Sequence, residues 1–332
     1  MNYRSARGFS GWGQVGVLLG FFGAGAIFTV VSQVVIGTSI INQGIPWDQK
    51  GTAMVNALLQ PENVFYLLLS QVLGTFLLMF LPVLSYLLIC HGNNGLWLGF
   101  SKRINFGQAL LAFCIIFCAN IVANPIADLS KYVIGFFPHI DKWAQSLEDD
   151  YGNIVAAMSG LKGAGGLLVA IIVMAFFPAL FEEMVFRGAI QNLLVRWWKK
   201  PVLAIIFTSL LFSLIHGSAY LFLSRAILGF ALGWMYYRSK NLWVNIIAHF
   251  LNNTVAVIQL FQIANTKGKP DLSKLDERMP MWIELVSIAV FYGLFILFDK
   301  VSAKNRAKIE MDEQKLWIKS TPQYNNIADK QN

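Results

Sequence analysis

Charge is what this sequence has least of. Only 13% of its 332 residues are Asp, Glu, Lys or Arg, while 56% are hydrophobic. Soluble domains carry about 25% charged residues, so this chain has too little polar surface to coat a soluble globule. Cysteine is equally scarce. Cys90, Cys114 and Cys118 form an odd set inside or beside apolar runs, which excludes a disulfide framework and suits buried apolar residues. Cys114 and Cys118 share a helix face, but no His or carboxylate accompanies them, so no metal site is expected there. A Gly/Ser linker, an internal repeat and a second soluble domain are all missing. The net charge of +8 does not point to nucleic acid, because the basic residues cap apolar runs and line no aromatic-interleaved patch; they read as topology signals.

What is present is a succession of apolar runs long enough to cross a bilayer. They cover about 13–37, 64–90, 107–127, 164–190, 201–216, 221–237, 242–262 and 281–299. The first is too long for a signal-peptide core and is expected to be a retained helix. The expectation is an all-α, polytopic membrane protein of about eight transmembrane helices. Pro82 and Pro178 interrupt the second and fourth runs. The long loop 128–163 carries Glu148-Asp149-Asp150 and has room for a short amphipathic helix. The tail beyond Lys300 is polar and reads as a solvated helix or disordered chain. Three regions follow: residues 1–163 (three helices and an outer loop), 164–263 (a core of four helices) and 264–332 (the last helix and a tail).

Orientation follows from the loops. Residues 1–11, 91–106, 191–200 and 238–240 carry Lys and Arg without acids. Loop 128–163 has three lysines against five acids. Loop 264–280 is the weak case, with a slight basic excess. By the positive-inside rule both termini are cytoplasmic, and the expected location is a bacterial inner (plasma) membrane.

Three polar groups lie inside the runs. Glu182, Glu183 and Arg187 sit in the fourth. His216 ends the fifth, within Phe212-Ser213-Leu214-Ile215-His216. His249 and Asn253 share one face of the seventh at i, i+4. Insertion of an ionisable residue at mid-membrane costs roughly 2.5 to 3.5 kcal/mol, so such a residue is a functional candidate by default. Glu183 and Arg187, also at i, i+4, read as a structural ion pair. Glu182 points about 100° away on the helix and is not explained by that pair. Counted from the flanking basic residues, Glu182 is roughly 21 Å deep, His249 and Asn253 roughly 14 to 20 Å, and His216 roughly 24 Å. One site between the cytoplasmic half and the midplane is therefore expected. Pro178 frees a backbone carbonyl one turn before Glu182 and is expected to bend the helix and open a polar cavity. Asn245, Asn252 and Gln191 read as polar packing.

The set Glu182-Glu183-x-x-x-Arg187, Phe212-x-x-x-His216 and His249-x-x-x-Asn253 resembles the CPBP family. These are the Rce1-type CAAX-processing and bacteriocin-processing intramembrane endopeptidases, also called Abi proteins. The resemblance covers about 165–263. It implies that Glu182, His216, His249 and Asn253 form the catalytic group, supported by Glu183 and Arg187. It also implies hydrolysis near the cytoplasmic side of a peptide or membrane-protein substrate, with a lipidated C-terminus as one substrate type.

The chemistry suits the residues by itself. Peptide hydrolysis needs an activated water and a stabilised oxyanion. A carboxylate in a poorly solvated cavity can take a proton from water, His216 can orient that water, and His249 with Asn253 can face the tetrahedral oxygen. A variant has Glu182, His216 and His249 holding a divalent metal such as zinc, so the cofactor is either none or such an ion. The absence of His-Glu-x-x-His and of Gly-x-Gly-Asp argues against the zincin and aspartyl designs. Ser218 lies in a link and is a poor nucleophile candidate. Two other functions stay open: a proton-coupled transporter, which the missing inverted repeat disfavours, and a non-proteolytic immunity or scaffold protein.

Overall fold

The computed structural model describes residues 3–42, 44–265 and 280–328. Among the described residues the chain is helical, with one isolated bridge between Arg4 and Ser10 in place of any strand. The helices are α1 (Gly11–Ile40), α2 (Lys50–Leu58), α3 (Pro61–Cys90), α4 (Phe106–Ile134), α5 (Pro138–Ala157), α6 (Gly163–Trp198), α7 (Pro201–Leu214), α8 (Phe222–Ser239), α9 (Leu242–Ala264) and α10 (Met281–Ala328). This is a polytopic, all-α membrane protein.

Six of these helices, α1, α3, α4, α6, α9 and α10, are long and apolar enough to cross a membrane. The fifth and sixth expected spans fall on α7 and α8, which differ from the rest. α7 has 14 residues, and α8 carries Arg225 and Arg238. The two pack against each other, and α8 also packs against α4 and α10. Their polar positions therefore face protein, which a hydropathy pattern cannot register. Most of the charged stretch expected at 264–280 lies outside the described residues.

The long helices turn apolar side chains outward, as lipid requires. Leu19, Ile27, Phe28 and Val31 on α1 and Leu285, Val286 and Ile288 on α10 are all exposed. Inside, one core gathers Tyr86, Trp97, Phe186, Phe212 and Ile246. Another joins α4, α8, α9 and α10 through Ile115, Ile116, Met235, Val244 and Phe298.

Two helices absorb a proline by means of a π turn. Before Pro82 the chain forms a π turn over Phe76–Phe80, and the Leu81 N–H donates to the Phe76 carbonyl. Before Pro178 the same occurs over Ile172–Phe176, with the Phe177 N–H donating to Ile172. The wider turn moves the carbonyl that a proline ring would strike in a regular helix. α4 runs through Pro125 to Ile134, beyond its expected end near 127. The amphipathic helix expected in the outer loop is α5, 20 residues long.

The two ends of the bundle are distinct. One carries residues 3–10, the 91–105 loop, the α6–α7 and α8–α9 turns and the second half of α10. Arg7 N donates to Cys90 O, Leu242 N to Gly99 O, and Arg196 pairs with Glu313 at 3.4 Å. We call this the terminal face. The other end carries α2, α5 and the α7–α8 link.

Candidate active site

The site is assembled by α6, the end of α7, α8 and α9. α6 supplies the carboxylates immediately before a second departure from α-helical geometry, a π-helical stretch over Met184–Gln191 that contains Arg187. Such stretches frequently mark functional positions. The Arg187 Nη1 donates to Glu183 Oε1 at 2.8 Å, with both side chains fully buried. Its Nη2 donates to the Gly229 carbonyl at 3.0 Å, and its guanidinium lies 4.7 Å from the centre of the Phe212 ring. The expected ion pair is present, and it is tied to α7 and α8.

Gly229 makes that tie feasible. A Cβ there would stand 3.1 Å from Ser209 Cα and 3.2 Å from Phe212 Cδ1. Its lack of a side chain lets α8 come close enough to α7 for the carbonyl to reach Arg187.

Glu183 does more than pair with Arg187. Its Oε1 also takes the Nδ1 proton of His249 at 3.0 Å, and its Oε2 accepts Asn245 Nδ2 at 3.2 Å. Asn245 donates in addition to the Leu232 carbonyl at 2.7 Å. With Nδ1 as donor, His249 presents its other nitrogen to Glu182, where Nε2 lies 3.8 Å from Oε2. His216 is held the same way. Its Nδ1 lies 2.6 Å from the Phe212 carbonyl one turn back, and its Nε2 lies 3.8 Å from the same Glu182 Oε2. The Phe of the Phe-x-x-x-His pattern thus holds the His by its carbonyl and packs on it by its ring, 4.6 Å between centres.

Glu182 Oε2 is itself buried without a hydrogen-bond partner among the described residues. Two imidazole lone pairs and a carboxylate oxygen converge on one small volume. Separations of 3.8 Å are too long for direct hydrogen bonds and suit a small bridging molecule, such as a water that donates its two protons to two of the three acceptors.

The donor types would also suit zinc. Among the described residues, however, no group of three or more His, Cys, Asp or Glu side chains is placed to hold a metal ion.

The structure therefore brings together Glu182, Glu183, Arg187, His216 and His249. Asn253 lies one turn beyond His249 on α9, half-buried, and forms no hydrogen bond among the described residues. Two contributors stand outside the sequence-derived set. Asn245 continues the His249 and Asn253 stripe one turn earlier, a spacing visible in the sequence. Arg225, inside the expected sixth span, donates from Nη1 to the His216 carbonyl at 3.2 Å. Its position as a charge within an apolar run was the signal that could have found it.

Comparison with known proteins meets this geometry at the same residues. Residues 164–255 match the sequence model of the type II CAAX prenyl endopeptidase Rce1-like family. The Rce1-like segment contains every side chain of the site, from Glu182 on α6 to Asn253 on α9, and leaves α1 to α5 and α10 outside. Over 98 residues the chain is 32% identical to "Putative membrane peptidase YdiL" of Bacillus subtilis. That alignment takes in 29% of this chain and 39% of the relative, so the chain matches well under two thirds of the relative's length. No solved structure gives a significant match.

Proposed function

We propose that the protein is an intramembrane endopeptidase in which Glu182 activates a water against a peptide carbonyl. The observation that carries this reading is the convergence of His216 Nε2 and His249 Nε2 on Glu182 Oε2, each 3.8 Å away. A water held there gives one proton to Glu182 as its oxygen bonds to the carbonyl carbon. The carbonyl oxygen becomes an oxyanion, facing the side of α9 that carries Asn253, whose amide supplies a donor. Glu182 returns its proton to the peptide nitrogen, the C–N bond breaks, and an acid and an amine leave. His216, held by Phe212, orients the water and steadies the proton in transit.

Glu183 and Arg187 act at one remove. Glu183 fixes the tautomer and orientation of His249, and Arg187 holds Glu183 in place. Substrates are polypeptide segments that enter the bilayer, as the Rce1-like match suggests, and a C-terminal lipid is one means of delivering them.

The test is Glu182→Gln in purified protein, assayed on a library of plain and prenylated peptides. Loss of cleavage with unchanged thermal unfolding supports the assignment; full activity refutes it. A chelator titration with zinc add-back separates glutamate from metal catalysis.

A further inference from the structure

A cavity of about 500 Å³ lies between α1, α2, α3 and α5, at the end of the bundle away from the terminal face. Every residue that lines it precedes Gly163, so it falls outside the segment that matches the Rce1-like model. Its size is that of a site for a small organic ligand. α2 closes one side. Gly37 lets that helix sit against α1, since a Cβ there would stand 2.7 Å from Met54 Sδ.

Most of the wall is apolar, with Val34, Val55, Leu58, Leu67 and Ile154. Three polar side chains interrupt it, and none of them forms a hydrogen bond among the described residues. Ser70 is 6% exposed. Other hydroxyls on the same two helices are satisfied by helix carbonyls: Thr29 by Gly74 at 3.2 Å, Ser32 by Thr29 at 2.8 Å and Thr75 by Gln71 at 2.9 Å. Ser70 is not, so a buried donor is left over on the cavity wall. Gln33 approaches from α1. Its Nε2 would stand 3.7 Å from a Cβ at Gly74, one turn along α3 from Ser70, so the amide leans across to α3. Counted from Ile40 and from Pro61, the two groups lie roughly 10 and 14 Å along their helices, in one layer of the membrane. Asp150 is the third. It stands exposed on α5 and is the one charged group in the wall among the described residues.

These groups select an amphiphile. A purely apolar occupant would leave Ser70 and Gln33 unpaired. A head of net negative charge would meet Asp150 with no cation in the wall to offset it. A small soluble amine would leave the apolar wall uncovered. We infer that the cavity binds an amine-headed phospholipid of the surrounding bilayer, with one acyl chain along the apolar wall, an ester carbonyl on Ser70 and Gln33, and the ammonium on Asp150. The bilayer is the source because exposed apolar residues of α1 and α2, Val30, Val34 and Val55, border the cavity, so an acyl chain reaches it without crossing water. The assignment is independent of the peptidase reading.

Native mass spectrometry of the full chain, purified in detergent, tests this directly. The protein is titrated with phosphatidylethanolamine, phosphatidylcholine and phosphatidylglycerol of identical acyl chains. One phosphatidylethanolamine should bind about tenfold more tightly than either of the others. The methylated nitrogen of choline offers no N–H to a carboxylate, and the glycerol head carries no cation. Asp150→Asn should erase that preference, and Gln33→Leu should weaken phosphatidylethanolamine binding several-fold. Equal binding of the three lipids by the parent, binding of none, a preference for phosphatidylglycerol, or a preference that survives Asp150→Asn each overturns the inference. Val55→Trp fills the cavity from the exposed side of α2 and serves if Gln33→Leu does not fold. It should abolish the tight site, and undiminished binding in that variant also overturns the assignment.

Discussion

His249 Nδ1 lies 3.0 Å from the oxygen of Glu183 that also receives Arg187 Nη1 at 2.8 Å. One carboxylate oxygen thus binds a histidine of the candidate site to a buried cation. Neutralising Glu183 affects both partners. Glu183→Gln leaves Arg187 charged and unpaired in a fully buried position, a loss of about 3 to 5 kcal/mol for breaking such a pair. Thermal unfolding in detergent should show a large drop for Glu183→Gln and little change for Glu182→Gln, while cleavage is lost in both. Equal melting of the two variants would contradict the division of labour between the neighbouring carboxylates.

Asn245 should behave as a positioning residue. Asn245→Leu removes the donor from Glu183 Oε2 and from the Leu232 carbonyl, two buried acceptors. The expected cost is about 1 to 3 kcal/mol for buried groups left unsatisfied. Cleavage should fall about 10- to 100-fold, as is usual when the groups that orient a working histidine are lost. Asn245→Asp tests the polar role: it keeps size but places a second carboxylate beside Glu183, so it should be worse than leucine for activity. Parity between the two would reduce Asn245 to packing.

Asn253 offers the opposite pattern. It forms no hydrogen bond among the described residues, so Asn253→Ala should leave unfolding within about 0.5 kcal/mol of the parent. If its amide serves the oxyanion, the rate should drop about 10²- to 10³-fold with KM little changed. A pure KM effect would assign Asn253 to substrate binding instead.

Gly229→Ala tests the contact between α7 and α8. The added methyl meets Ser209 Cα at 3.1 Å, a distance at which the neighbour must give way. Overpacking of this kind costs about 1 to 3 kcal/mol, and it carries the Gly229 carbonyl away from Arg187. The variant should unfold earlier and lose activity together, whereas Gly16→Ala on α1, where a Cβ meets nothing within 4 Å, should do neither.

His91 predicts a pH effect on stability at the terminal face. Burial first, and then the nearby Arg196, push its pKa down to about 3. Its Nε2 lies 3.2 Å from Tyr86 OH, and its Nδ1 has no partner among the described residues. Between the unfolded value near 6.5 and about 3, the unfolded chain binds a proton that the folded chain does not. Stability from this residue is therefore complete above about pH 6.5 and declines as the pH falls. Melting temperatures from pH 7.5 to 4.5 should decline less steeply in His91→Gln than in the parent.

The sequence made the costly residues visible and left their pairings hidden. Glu182, Glu183, Arg187, His216 and His249 stand out because an ionisable group in an apolar run demands a reason, and the structure places all five together. That Glu183 orients His249 depends on the rotation of α6 against α9, which no periodicity reports. Arg225 stands as a charge inside the expected sixth run, but its bond to the His216 carbonyl depends on how the α7–α8 link folds back. Six helices meet the length and hydropathy of a span; α7 falls short of that length at 14 residues, and α8 carries Arg225 and Arg238. That α5 lies over the α7–α8 link was equally hidden, because it depends on contacts between residues about 70 to 80 positions apart.

The 14 residues of α7 span about 21 Å, against a hydrocarbon thickness of about 30 Å. The lipid around the α7–α8 link must therefore thin or give way to headgroups, with the exposed Trp143 and Ile140 of α5 at the new boundary. The protein carries its own depression in the membrane, and the work of deforming lipid around it grows with acyl-chain length. Reconstituted in bilayers of increasing thickness, it should become progressively less stable as the depression deepens.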